Sequence, residues 1–221
     1  MQVSGQQIEM KPISERGPRA RTRRLMLETA IRLMQSGITP SVTEVAEAAE
    51  VSRATAYRYF PSQAALVHAV VDEALGPILQ WKSGEADARV RIKDLLATAL
   101  PRIDEFEATF KAALKLSIEQ WSQRQAGTLG SEPQFTRGHR IDLLRDATSP
   151  LENKLDEPAR ERLAQALSLV FGVETLVVLK DIWGLSGVQA QAVAEWAAVA
   201  LVDAAINETE GMDTAKSPRS G

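Results

Sequence analysis

Three serines, Ser41, Ser52 and Ser62, constrain this chain more than any other feature. Each stands at the head of a helix-forming run, where its hydroxyl can accept from a backbone N–H that the first helical turn leaves unpaired. Their spacing leaves room only for short helices and tight turns between them. In ITPSVTEVAEAAEVSRATAYRYFPSQAALV, residues 38–67, Ser41-Val42-Thr43-Glu44 fits a capping box, in which Glu44 also reaches back to the Ser41 N–H. The helix it opens runs to about Ala49 and buries Val45, Ala46 and Ala49. Ser52 opens a second short helix that runs through about Arg58 and stops before Pro61, which has no N–H to continue it. Ser62 caps a further helix with Leu66, Val67, Val70, Val71 and Ala74 on one side.

Upstream, Met26, Leu27, Ala30, Leu33 and Met34 mark one face of a helix over about 18–36, which Gly37 closes by supplying a left-handed residue. The result is a three-helix unit with a helix-turn-helix at its centre. Residues 1–16 are polar and aperiodic and read as a disordered arm.

Beyond residue 83 the pattern stays helical. Ile92, Leu95, Leu96, Ala99, Leu100 and Ile103 form a wide apolar stripe, and a long helix over about 104–125 follows. A Gly- and Pro-containing loop spans 126–138, and Ile141, Leu144 and Thr148 mark a shorter helix that Pro150 breaks or kinks. Asp156 caps a helix begun by Pro158, and Leu163 to Leu179 is apolar nearly all round, as one helix covered on several sides would be. An Ala-rich helix runs over about 189–207, and the tail 211–221 reads as disordered. With no alternating strand pattern, the expected fold is all-α. Its parts are an arm (1–16), a helix-turn-helix domain (17–62), a connecting helix (63–83), a larger helical domain (84–210) and the tail (211–221).

The net charge of −3 over 221 residues argues against a nucleic-acid partner until the chain is divided. Residues 1–62 carry nine basic and six acidic groups, a net of +3, which leaves −6 for the rest. There is no cysteine, and the two histidines, His68 and His139, have no partner at metal or triad spacing. Neither a nucleophile elbow, a metalloprotease helix, a phosphate loop nor a dinucleotide fingerprint occurs. The expectation is a non-enzyme without metal or cofactor. With neither a secretory leader nor a membrane-length apolar run, it is expected in the cytoplasm, on the nucleoid when bound to DNA, with no membrane partner.

A short helix docked by its N-terminal end points its first-turn side chains into the major groove. On SRATAYRYF, residues 52–60, Arg53 can donate a bidentate pair to guanine, Thr55 offers a hydroxyl and a methyl, and Ala54 can touch a thymine methyl. Tyr57 and Tyr59 suit phosphate oxygens, as do Ser41 and Thr43 at a helix N-terminus; Ser52 and Arg58 complete the expected DNA-facing set. The competing reading packs the tyrosines half-buried and pairs Arg53 with Glu50. Arg16, Arg19, Arg21, Arg23 and Arg24 either follow the DNA or form a solvated charge run.

Residues 19–75, with TEVAEAAEVSRATAYRYFPSQAALVHAV at their heart, resemble the N-terminal domain of the tetracycline-repressor (TetR/AcrR) family of bacterial transcription regulators. The resemblance implies a homodimer on palindromic double-stranded operator DNA, with a helical C-terminal domain that binds a small ligand and dimerises. By position, Thr43 and Tyr57 resemble the phosphate-contacting residues, Arg53 and Thr55 the base-reading ones, and Tyr59 a backbone or base contact. Two departures stand out: Glu50 occupies the usual turn-glycine position, and Gln63 replaces a usual lysine.

The C-terminal sequence identifies no effector. Candidate ligand-lining residues are Phe106, Phe110, Leu114, Ser117, Trp121, Phe171, Glu174 and Thr175, which serve equally as plain core. Glu174 interrupts an apolar run, so it must be either paired with a neighbouring Arg or Lys or matched by a polar ligand. Helices 158–183 and 189–207 are the expected homodimer surface. Two functions fit: a repressor released by an unknown small-molecule effector, or a DNA-bound adaptor or activator whose C-terminal domain recognises a protein. A closed apolar cavity between the 90–125 and 160–180 helices would favour the first, and a filled core with an exposed apolar patch the second.

Overall fold

The computed structural model describes residues 17–130, 135 and 138–216, with side chains to 209. All regular structure among them is helical. Helix α1 (Pro18–Gln35) starts on a proline, whose missing N–H costs nothing in a first turn. Helices α2 (Val42–Ala48), α3 (Arg53–Tyr59) and α4 (Gln63–Leu75) each begin at one of the three serines. Ser41 Oγ accepts from Glu44 N–H at 3.2 Å while Ser41 N–H donates to Glu44 Oε2 at 2.7 Å, closing the capping box. Ser52 and Ser62 accept from the N–H groups of Thr55 and Ala65. Met26, Ala30, Met34, Val45, Ala46, Ala56, Phe60 and Leu66 form the buried centre of this unit.

Helix α4 ends at Gly76, where φ is 40°, and a 3-10 turn over Gly76–Gln80 redirects the chain. Arg102 caps it from a neighbouring helix, donating to the carbonyls of Ala74 and Glu73; a cation there meets the negative end of the helix dipole.

The larger domain comprises α5 (Ala88–Glu105), α6 (Glu107–Gln125), α7 (His139–Thr148), α8 (Glu157–Leu167), α9 (Val173–Leu176) and α10 (Gly187–Lys216). Asp156 caps α8 through the Ala159 N–H. Helix α10 packs along α5. Its fully buried Ala190, Ala194, Ala198 and Val202 recur every four residues, and such small side chains let α5 approach closely. Helices α1 and α4 both rest on α6, which joins the two domains.

The expected single helix over the 163–179 apolar run is instead broken. Helix α8 gives way to a 3-10 turn (Ser168–Val170), the chain pivots at Gly172, where φ is 119°, and α9 runs into a π-helical turn (Val177–Ile182). The two halves meet at 49°. A side chain at Gly172 would both strain the backbone and meet the Arg140 guanidinium 2.8 Å away. Leu169, 77% exposed, shows that the run is not covered on every side. Helix α10 continues past 207, through the first part of the expected disordered tail, to Lys216. The arm 1–16 and residues 217–221 lie outside the described residues.

Candidate nucleic-acid interface and effector cavity

Helix α3 presents Arg53, Ala54, Tyr57 and Arg58 to solvent along one face and buries Ala56, with Phe60 buried just after it. Thr55 and Tyr59 are half-buried at its edges, and Ser52 is exposed at its head. The expected DNA-facing side chains therefore share one surface with Thr43, whose hydroxyl lies 3.3 Å from the Tyr57 hydroxyl. Tyr57 is exposed and hydrogen-bonded, whereas Tyr59 packs against the core and carries Arg58 over its ring at 5.7 Å. Ser41 is engaged on both sides of the cap: its oxygen accepts from Glu44 N–H, and its hydroxyl helps to hold the Glu44 carboxylate charged. Ser52 donates to Thr55 Oγ1 at 2.9 Å, so the Thr55 oxygen serves as an acceptor at the head of α3.

Arg53 pairs with Glu47 on α2 at 2.5 Å, not with Glu50. Both side chains are mostly exposed, so the pair is worth at most about 1 kcal/mol and opens readily. Glu50 adopts φ 54°, making it the non-glycine residue with positive φ among those described. It closes α2 with the hydrogen bonds by which Gly37 closes α1: Val51 N–H reaches Ala46 O, as Ile38 N–H reaches Leu33 O. Gln63 donates to the carbonyls of Thr39 and Pro40, so the residue replacing a lysine anchors the loop ahead of α2.

A half-open cavity of about 80 Å³ lies between α4, α5, α6, α7 and the Gly172 pivot. Its walls are apolar (Val71, Leu75, Ile103, Phe110, Leu143 and Phe171 among them), with His68, His139 and Arg140 as polar exceptions. Of the ligand-lining candidates, Phe110 and Phe171 face it. Glu174 lies behind the wall, accepting from Arg140 at 2.7 Å, and lines a separate cleft with it; the neighbouring-Arg reading of this carboxylate is the one observed. Thr175 is buried and spends its hydroxyl on Leu169 O, and Leu114 packs on the core. Phe106 sits at the α5–α6 junction under Arg102, while Ser117 lies off the cavity and Trp121 is 58% exposed on α6.

The cavity's polar rim was not readable along the chain. His139 Nε2 lies 2.8 Å from Asp72 Oδ1, and His68 Nδ1 lies 3.8 Å from the same oxygen. The hydrogen bond to Asp72 holds the His139 pKa above its ordinary value, and Asp142 adds to the effect. Only the i, i+4 relation of His68 and Asp72 signalled this cluster in the sequence; His139 arrives through the packing of α7 on its neighbours.

Residues 26–70 match the family model of bacterial regulatory proteins, tetR family. The HTH-type transcriptional repressor LfrR of Mycolicibacterium smegmatis is 29% identical over 108 residues, which cover 49% of this chain and 48% of the relative. The match thus spans about half the length of that protein. The crystal structure of a TetR transcriptional regulator from Rhodococcus sp. RHA1 superposes with a TM-score of 0.54 at 22% identity, covering 84% of this chain and 97% of that one. At that identity the likeness is one of fold.

Proposed function

We propose, on the premise that residues 26–70 are an N-terminal domain of the tetR family of bacterial regulatory proteins, that this chain is a homodimeric transcriptional repressor released from its operator by a small, largely apolar ligand. The observation that carries the release step is the position of α4. Its cap, Ser62, follows the reading helix α3 by three residues, and its other end lines the cavity with His68, Val71 and Leu75. A ligand that wedges α4 outward moves α3 with it. Coupling of about 1.4 kcal/mol weakens operator binding tenfold.

In this reading Arg53, Ala54 and Thr55 meet base edges, while Ser41, Thr43, Ser52, Tyr57, Arg58 and Tyr59 hold the phosphate backbone. The second copy supports affinity, because two half-sites about 34–36 Å apart are read together. What supports dimerisation is the surface on either side of Ser186. Ile182 (73%), Trp183 (72%), Val188 (81%) and Trp196 (74%) are exposed apolar side chains on the π turn and α10, a concentration that monomers rarely show. The apolar lining of the cavity supports the ligand-released repressor; the cavity is half open, not closed, and the same exposed apolar patch also fits the adaptor whose C-terminal domain binds a protein.

The test is footprinting on the DNA flanking its own gene, followed by a salt titration. Two symmetric half-sites are expected, with affinity falling by about 0.9 log units per log of salt for each phosphate held. Protection of a single, asymmetric site or salt-independent affinity would overturn the proposal.

A further inference from the structure

Both histidines of this chain, far apart in sequence, line the same cavity with their rings 6.0 Å apart. We propose that His68, Asp72 and His139 bind a divalent transition-metal ion of the zinc class, which ties α4 to α7 at the cavity rim.

The three candidate donor atoms lie within 4.8 Å of one another. Bonds of about 2.0–2.2 Å to a tetrahedral ion place neighbouring donors roughly 3.4 Å apart. The distances to Asp72 Oδ1, 2.8 Å from His139 and 3.8 Å from His68, lie on either side of that value. The donor atoms thus already stand near the spacing that a bound ion requires. His68 and Asp72 sit one turn apart on α4 and share a face, so one helix presents two ligands without any loop having to order. Phe135 packs edge-on against His68 at 5.2 Å and restricts its ring.

Two imidazoles and one carboxylate select zinc, cobalt or nickel over magnesium and calcium, which take oxygen ligands. The surroundings agree in charge. Asp142 adds a second carboxylate near His139, whereas Arg140, the cation lining the same cavity, is held by Glu174 and by Ser168 O. Side-chain exposure of 36–47% at the three residues gives an ion access from solvent. Three protein ligands also leave at least one coordination position, which a water or an oxygen of a cavity-bound molecule can take.

The test uses the full chain, stripped of metal and titrated with Co²⁺ while its visible absorption is followed. One Co²⁺ per chain is expected, displaced by Zn²⁺ and indifferent to excess Mg²⁺. His68→Gln, Asp72→Asn and His139→Gln should each weaken binding at least about tenfold, the loss that removing even an outer partner brings. Their circular dichroism should stay unchanged. If His139→Gln does not fold, the half-exposed His68→Gln carries the comparison. Absence of stoichiometric binding, variants that bind as tightly as the parent, or displacement by Mg²⁺ would each overturn the site. No DNA enters the measurement, so its result is independent of the regulatory proposal.

Discussion

The hydroxyls of Thr43 and Tyr57 hydrogen-bond to each other at 3.3 Å, joining the start of α2 to the middle of α3. Within that pair one O–H proton is used, and in the proposed complex the other donates to a phosphate. Contributions of the two hydroxyls to the proposed DNA contact are therefore coupled. Thr43→Ala and Tyr57→Phe should each weaken operator binding, and the double variant should lose less than the two single losses added together. A double-mutant cycle should give a coupling of about 0.5–1 kcal/mol; strict additivity would mean that the two hydroxyls act independently.

In the proposed complex Arg53 reaches a base only by leaving Glu47. Arg53→Ala should cost about 1–3 kcal/mol of specific affinity and relax preference at one base position of each half-site. Glu47→Gln should tighten binding, since it frees the guanidinium and removes an anion from the DNA-facing surface. Gel-shift titrations against the operator and singly substituted operators check both. Unchanged affinity and base preference in Arg53→Ala would remove this residue from the reading set.

Glu50 at φ 54° holds a conformation that costs a non-glycine residue about 1–2 kcal/mol, whereas glycine loses about 0.5–1 kcal/mol through the freedom of its unfolded chain. Glu50→Gly should leave a small net gain, up to about 1 kcal/mol, read as a higher Tm. Glu50→Val, β-branched in a left-handed position, should lower it.

The Ser41 backbone N–H holds the Glu44 carboxyl below its ordinary pKa, and the Ser41 hydroxyl adds to the effect. A depressed carboxylate contributes stability that is present above the unfolded-state value of about 4.5 and is lost as pH falls through the lower folded value. Glu44→Gln should therefore narrow its stability gap from the parent as the pH drops below about 4.5. Urea midpoints measured from pH 7 to pH 3 check the sign, and a gap that widens on acidification would contradict it.

Trp183 and Trp196 stand in water in one copy of the chain. Replacing both with lysine should produce a folded monomer with weaker operator binding, because neither side chain supports the monomer's core. Sedimentation velocity at micromolar concentration reads the change. A parent protein that is itself monomeric there would dispose of the dimer proposal.

The helix boundaries of the helix-turn-helix unit were legible because their causes are local. A Ser41, Ser52 or Ser62 cap is a hydrogen bond to a residue three positions on, and Gly37 ends its helix through its own φ. The apolar stripes of α1, α4 and α5 were legible for the same reason, since a 3.6-residue period is written in the order of residues. The all-α class and the two-part layout follow from those signals.

What only the tertiary structure decided are pairings between residues whose sequence separation carries no pattern. Arg53 takes Glu47 instead of Glu50 because the turn held by Glu50 swings α3 across α2. Glu174 meets Arg140 because the chain pivots at Gly172, where a glycine inside an apolar run gave no sign of how far it would bend. His139 joins His68 and Asp72 through the packing of α7, and the cavity is the volume the surrounding helices fail to fill. Caps and periodicity are set by forces within one turn of helix. Which side chains meet across helices is set by how whole faces pack, and that is a property of the assembled chain alone.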